Sequence, residues 1–393
     1  MTTPIKWPLA VSPFTVKDRL RIAWWLLTQD RYTMGEKVAA FEAKFAAMTG
    51  RFTLGVSSGS MANQLVFDLW KFQNPGKHGI VIAPAVTWST SITPAMHAGL
   101  EVRFCDINTT DFSFDYEKLE GMLKRIRNQE RSAKPIIWPT ALIGRAPDMG
   151  KIHDLANRYG AEVFLDSCEN TLSMSGKVSI LASAPITTTS CFFSHQVVAI
   201  EFGFVFFQFE RDYEIAKMWR NHGMSRSLPS KLAIRQNFEA SDLTIDPTFL
   251  FAVPGHNMRP SEINAMFGLI DFERMEETRV RRNTLYKRFW HKMGFSKHFL
   301  VPPLRDQDNA YCLPAFTLNW FCEGEKKLLR ERGIEVRPIV GGNLTRQPAF
   351  KRAGVKPEDF PNAEWVHRRG FYVGLHHHVT EKQIDELASL FVK

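Results

Sequence analysis

The run Gly79-Ile80-Val81-Ile82-Ala83-Pro84 constrains the fold more than any other stretch of the chain. It has no polar face to offer to water, so it reads as a strand buried on both sides within a parallel sheet. Further strand patterns follow at residues 100–107, 135–142 and 161–165, alternating with helical patterns near 115–129 and 148–159. Strand–helix alternation at this spacing implies an α/β fold, a mainly parallel sheet with helices on both faces. Ligands of such a sheet lie at the carboxyl ends of its strands.

Upstream, an amphipathic pattern covers residues 16–27. Val38, Phe41, Phe45 and Met48 then recur on one helical face, which Gly50 terminates as a C′ residue. A strand at 52–56 leads through Ser57-Ser58-Gly59-Ser60 into a helix over 61–70. Strand, small-residue turn and helix offer free N–H groups and a helix dipole to a phosphate. The tetrapeptide read alone serves equally as a tight turn with a serine N-cap.

Trp88, just after the 79–84 strand, is either core filler or an aromatic plate, and Asp166, after Val163-Phe164-Leu165, either caps a helix or faces a ligand. A β-rich run from Ile186 to Phe193 ends at Ser194-His195, and another strand covers 204–209. Residues 227–254 lack a clean period and predict a long, partly exposed segment.

A helix over 261–293, with Ile263, Met266, Phe267 and Ile270 on one face, then bridges to a smaller C-terminal α+β domain. Strands are expected there at 310–318 and 333–340. Thr380 and Gln383 form a capping box before Ile384, Leu387 and Phe391. A chain of 393 residues exceeds one hydrophobic core. The expected division is a large domain over 1–262 and a small one over 263–393.

The excess of 50 Lys+Arg over 41 Asp+Glu, +9 in all, suits a diphosphate-bearing substrate, nucleic acid or a solvated surface. No basic run with interleaved aromatics supports nucleic acid. The five cysteines are scattered without CxxC spacing, which reads as reduced thiols in a cytoplasmic protein. MTTPIKWPLAV lacks the apolar region of a signal peptide, and the longest apolar runs fall short of the ~20 residues of a membrane span. His376-His377-His378 would alternate sides on a strand, so no metal site is expected.

Residues 186–204, ITTTSCFFSHQVVAIEFGF, resemble the cofactor segment of the DegT/DnrJ/EryC1/StrS sugar aminotransferase superfamily, fold-type-I enzymes that use pyridoxal phosphate (PLP). Most members carry the Schiff-base lysine five residues after a serine; here Ser190 matches the serine, but His195 stands in the lysine's place. No lysine lies between Lys177 and Lys217.

Asp166-Ser167-Cys168-Glu169-Asn170 resembles the family's Asp-x-x-Gln/Glu segment, with Glu169 where aminotransferases usually carry glutamine. Arg220-Asn221-His222-Gly223-Met224-Ser225-Arg226 is similar to Arg-x-His-Gly-x-x-Arg, and residues 255–262 are similar to Gly-Tyr-Asn-x-Arg-x-x-Glu with His256 for tyrosine. Arg337-Pro338-Ile339-Val340 with Gly342-Asn343 resembles the substrate loop of the family's 3-dehydratase branch. That branch usually has a second histidine where Gln196 stands and a Gly-Gly pair where Phe202-Gly203 stands.

The resemblance implies that Gly59 and Ser60 hold the PLP phosphate, that Ser58 and Ser190 also bind the cofactor and that Trp88 stacks on the ring. It implies that Asp166 pairs with the pyridine nitrogen, with Glu169 beside it, and that Asn257 reaches the phosphate in the other subunit of a homodimer. His222, Arg226, Arg259 and Arg337 are implied on the sugar-nucleotide side.

Histidine cannot form the imine, but it can move a proton. The expected reaction is therefore loss of the C3 hydroxyl from a nucleotide-linked 4-keto-6-deoxyhexose, expected to be GDP-linked 4-keto-6-deoxymannose. PLP and pyridoxamine phosphate (PMP) would be cofactors, L-glutamate the amino donor and His195 the base. Such a lyase would serve dideoxysugar biosynthesis, as in O-antigen colitose. The branch members with an iron–sulfur centre need a cysteine cluster, which is absent. An aminotransferase without lysine and a catalytically dead PLP-fold binding protein remain the alternatives.

Overall fold

The computed structural model describes residues 6–294, 296–351 and 354–392. Residues 1–5, at the start of the expected large domain, and Lys393 at the end of the small one lie outside these. A seven-stranded sheet has the order β1-β9-β8-β5-β4-β2-β3. Its strands are β1 (Phe52–Val56), β2 (Gly79–Pro84), β3 (Glu101–Cys105), β4 (Lys134–Ile137), β5 (Glu162–Asp166), β8 (Ile186–Ser190) and β9 (Gly203–Phe207). A small hairpin, β6 (Met174–Ser175) and β7 (Val178–Ser179), lies between β5 and β8. β2 pairs parallel with β3 and β4, β4 with β5, and β5 with β8. β9 runs antiparallel to both β8 and β1, so the sheet is mainly parallel, as the alternation requires.

Every residue of β2 is buried, because helices cover both faces. On one face α2 (Glu36–Thr49), α5 (Tyr116–Gln129) and α6 (Met149–Tyr159) place Phe41, Phe45, Leu123 and Ile152 against the sheet. On the other, α3 (Gly59–Gln73) and α7 (Glu210–Arg220) contribute Leu65, Trp70, Ile215 and Trp219. Gly50 closes α2 at φ +65°, the left-handed conformation that glycine adopts without penalty. Asp115 and Asp148 cap α5 and α6.

A four-stranded antiparallel sheet, ordered β10-β11-β13-β12, forms a smaller layer: β10 (Phe299–Leu300), β11 (Cys312–Thr317), β12 (Val336–Pro338) and β13 (Gly370–Gly374). α11 (Glu323–Glu331), α12 (Pro361–Arg369) and α13 (Glu381–Ser389) accompany it. Thr380 and Gln383 make the expected capping box on α13. Trp7 bridges to Ile334, and its indole N–H donates to the Gly374 carbonyl at 2.9 Å.

Several patterns resolve differently in three dimensions. The helix expected over 261–293 is two: α9 (Glu262–Phe272) and α10 (Met275–Met293). Arg274, at φ −109° and ψ 2°, breaks it, and its guanidinium is drawn to Asp18 of α1 (Val16–Thr28) at 3.0 Å. β4 is regular only to Ile137, and pairing to β5 resumes as an isolated parallel bridge between Thr140 and Asp166, with Ala141 N–H donating to the Asp166 carbonyl at 2.8 Å. The 227–254 segment contains one α-helix, α8 (Ala233–Ser241), with no buried residue, and a 3-10 turn at Pro247–Phe249. A short α4 (Thr93–His97) follows Trp88. His376 to His378 lie beyond β13, with His377 and His378 in a turn rather than on a strand.

Glu262, 3% exposed, links the start of α9 to the start of α2. Its carboxylate accepts the N–H groups of Gly35 (2.9 Å), Lys37 (2.8 Å) and Val38 (2.8 Å), while Gly35 as N-cap provides no side-chain cap. A carboxylate from across the chain thus satisfies N–H groups that a helix end leaves orphaned. Glu262→Ala should cost about 3 kcal/mol or more in urea unfolding, since three donors lose their partner together. Glu262→Gln should recover part of it.

Candidate active site

The carboxyl ends of the parallel strands converge on the N-terminus of α3. Ser58, extended at φ −162°, caps that helix by accepting the Met61 N–H at 3.3 Å. A Cβ on Gly59 would lie 2.7 Å from Ser190 Cβ and 2.9 Å from Cys168 Sγ. One on Gly203 would lie 2.3 Å from the Ser58 carbonyl oxygen. Glycine at both positions lets α3's first turn, β8's end and β9's start meet. Ser60 donates to Thr90 Oγ1 at 2.8 Å, and Ser190 Oγ accepts the Phe192 N–H at 3.3 Å.

Asp166, 1% exposed, ends β5 beside this turn. Oδ2 accepts from Asn63 Nδ2 at 2.9 Å and Ser91 Oγ at 2.6 Å, and Oδ1 accepts the Cys168 N–H at 3.0 Å. No helix follows for it to cap. Asn63 is itself fixed by Thr188, whose hydroxyl donates to Oδ1 at 2.6 Å. Three donors leave the carboxylate with acceptor capacity, since an ionised carboxylate offers about four lone-pair sites. Trp88, 56% exposed, follows β2 and presents an open aromatic face.

Glu169 Oε2 accepts the Ile143 N–H at 2.9 Å. Ile143 holds φ +45°, a conformation β-branched residues rarely adopt. Burial, with a smaller contribution from the neighbouring Asp166, pushes the Glu169 carboxyl up to about 7 although the Ile143 bond opposes it. Glu169 can therefore carry or give up a proton near neutral pH.

His195 sits in the 191–202 loop, which is closed by Cys191 N–H to the Phe202 carbonyl and Ala199 N–H to the Cys191 carbonyl, both 2.8 Å. Its ring lies 5.7 Å from those of Phe192 and Tyr311. Burial, followed by the nearby Arg282 guanidinium, pushes the imidazole down to about 3, so it is neutral at physiological pH. Nδ1 is buried without a partner among the described residues. Gln196 tethers the loop, accepting the Thr171 N–H at 2.7 Å. Phe202 turns away from Ser58 and Gly59 into a buried aromatic cluster with Phe41 and Phe204.

The remaining sequence candidates form a second group. His222, at φ +60°, donates its N–H to the His256 carbonyl at 2.9 Å, and Asn221 bridges to Asn257. This pair of segments reaches the first group through Ser57 N–H to the Met258 carbonyl at 2.8 Å. Asn257 is exposed, and its Oδ1 accepts Arg259 Nε at 3.0 Å. Arg226 lies over Phe249 at 5.5 Å. Arg337 is exposed and paired with Glu335 at 2.8 Å. Its loop docks on β2's exit, where Leu344 N–H donates to the Ala85 carbonyl at 2.8 Å. Asn63, Ser91 and Arg282 were missed from the sequence. A buried asparagine in the apolar stretch of α3 was the available signal.

The model of the DegT/DnrJ/EryC1/StrS aminotransferase family matches residues 15–391. A GDP-4-keto-6-deoxy-D-mannose 3-dehydratase of Yersinia pseudotuberculosis is 29% identical over 99% of each chain. The E. coli GDP-4-keto-6-deoxy-D-mannose-3-dehydratase structure with bound hydrated PLP superposes with a TM-score of 0.88, at 27% identity, covering 99% of this chain and 100% of that one. A GDP-4-keto-6-deoxymannose-3-dehydratase with a trapped PLP-glutamate geminal diamine gives a TM-score of 0.87 at 26% identity, covering 98% and 100%. The fold is that of the PLP-dependent aminotransferases.

The depressed His195 pKa has a thermodynamic signature. The unfolded chain binds this proton below about 6.5 and the folded chain only near 3, so stability falls as pH drops through that window. Between pH 7 and 5 the effect is at most about 2 kcal/mol. His195→Asn should flatten the pH dependence of urea unfolding over this range relative to the parent.

Proposed function

Because the chain belongs to the DegT/DnrJ/EryC1/StrS aminotransferase family, we propose that it is a PLP/PMP-dependent 3-dehydratase of a nucleotide-linked 4-keto-6-deoxyhexose, with GDP-4-keto-6-deoxymannose as substrate. The observation that carries this reading is His195, a neutral imidazole in a cofactor segment without lysine. The balance is keto-sugar plus L-glutamate giving the 4-keto-3,6-dideoxy sugar, 2-oxoglutarate and ammonia.

The residues present fit the cofactor. Asp166 has acceptor capacity for a pyridinium N–H, Trp88 is more than half exposed, and glycine at 59 and 203 brings α3's first turn against Ser190 at the end of β8. When bound, the cofactor supplies an amine for condensation with a carbonyl and a ring that takes up electrons. Asp166 keeps the ring nitrogen protonated, and Trp88 packs on the ring. Ser58, Gly59, Ser60 and Ser190 bind the phosphate, with Asn257 serving a second copy's site.

His195 Nε2 would move the proton at the cofactor's C4′, and Glu169, which burial pushes up to about 7, would hold or release a proton near neutral pH. Departure of the C3 hydroxyl then requires no imine to the protein. His222, Arg226, Arg259 and Arg337 are assigned to the sugar nucleotide.

The functional unit in this reading is a cytoplasmic homodimer. Val16, Leu20, Trp24 and Leu27 form an exposed apolar stripe on α1, a surface that favours a covering copy. Among the described residues no helix is long and apolar enough to cross a membrane.

Incubation with PLP, L-glutamate and GDP-4-keto-6-deoxymannose should release 2-oxoglutarate and ammonia in equal amounts. Mass spectrometry should show a sugar nucleotide one oxygen lighter. His195→Asn should lower the rate by about 100-fold or more. Nitrogen retained in the sugar would make the protein an aminotransferase, and no turnover with PMP bound would favour a binding protein.

A further inference from the structure

Beside His195, whose buried Nδ1 has no partner, lies a cavity of about 60 Å³ between the 193–198 loop, α10, residues 9–13 and the end of β13. Its lining is unusual in how many polar atoms lack a partner. Arg282 is 8% exposed, yet neither Nε nor Nη1 has a hydrogen-bond partner among the described residues. Its Nη2 reaches only the His195 carbonyl, at 3.5 Å. His376 is 7% exposed, and neither ring nitrogen is bonded. A buried guanidinium with two unmet donors is costly, and three side chains leave unmet polar atoms around one small space.

The acidic group on the wall does not resolve this. Asp271 lines the cavity and its charge acts on Arg282 from a distance, but no direct ion pair joins them among the described residues and its Oδ2 is taken by the Val198 N–H at 2.8 Å. The other polar walls, Tyr311, Tyr372, Thr278 and Cys312, bring no counter-charge while protonated. The space admits a few waters or one small ion, not an amino acid or a phosphate ester.

We propose that this cavity is a binding site for one small monoanion, halide- or formate-sized, held by Arg282 Nε and Nη1 and by His376, and accepting Nδ1–H of His195. The anion occupies the position a carboxylate holds in other histidine bases, where it fixes the tautomer and leaves Nε2 with its lone pair. Arg282 and His376 are thereby positioning residues for His195. Anion binding itself is independent of the dehydratase reading; only the effect on His195 chemistry rests on it.

The test uses the full-length protein. Thermal unfolding is followed at fixed ionic strength in sodium bromide, sodium formate or sodium gluconate, the last too large for the cavity. The parent should gain about 1–3 °C in bromide or formate relative to Arg282→Met, with the gluconate difference between the two proteins as baseline. Bromide-soaked crystals of the parent should show an anomalous peak within hydrogen-bond distance of Arg282, a readout that does not depend on the variant folding. Histidine nitrogen shifts should move His195 toward the Nδ1–H tautomer on bromide addition. A response to formate alone would identify a carboxylate as the ligand. No anomalous peak together with equal salt responses in parent and variant would overturn the site.

Discussion

The carboxylate of Asp166 ties together three pieces of chain that would otherwise be independent: α3 through Asn63, the segment after β2 through Ser91, and its own loop through the Cys168 N–H. A carboxylate almost wholly withdrawn from water is tolerated only when such donors surround it. Each donor is also a constraint. With Asn63 held by Thr188 of β8, the same network sets where α3 begins relative to the ends of β5 and β8. The turn before α3, the segment that follows Trp88 and the carboxylate therefore share one polar anchor.

Backbone proximity is the second constraint. Gly59 and Gly203 allow α3, β8 and β9 to meet at distances no side chain would permit. Phe202 illustrates how little a departure from a family pattern means until its direction is known. It stands where relatives carry glycine, yet its ring joins Phe41 and Phe204 in the core and leaves the turn beside Gly59 clear. At Ile143 a disfavoured φ is held, and its N–H meets Glu169. Strained backbone at this place is consistent with a site whose geometry the surrounding fold enforces.

Proton placement distinguishes the two ionisable groups assigned to chemistry. Burial acts in the same sense on both, against charge, and so moves them in opposite directions: the Glu169 carboxyl up to about 7 and the His195 imidazole down to about 3. The imidazole is thus uncharged near neutral pH, while the carboxyl sits close to its titration midpoint there.

Apolar periodicity alone determined most of the elements: the all-buried β2, the Val38–Phe41–Phe45 face of α2 ended by Gly50, and the capping box of α13. The motifs around Asp166, Ser190 and His195 likewise announced two strand ends and a missing lysine, for which local residue types suffice. Tertiary structure decided what depends on partners distant in sequence. Arg274 breaks the 261–293 pattern because it answers Asp18 on α1, and Glu262 caps a helix more than two hundred residues away. Asn63 and Ser91 became site residues only when α3 and β2 were brought to Asp166. His376 acquired its place beside Arg282 from the packing of β13's end against α10. Periodicity records which side of an element is buried; it carries no information about which polar group waits on the other side of the contact.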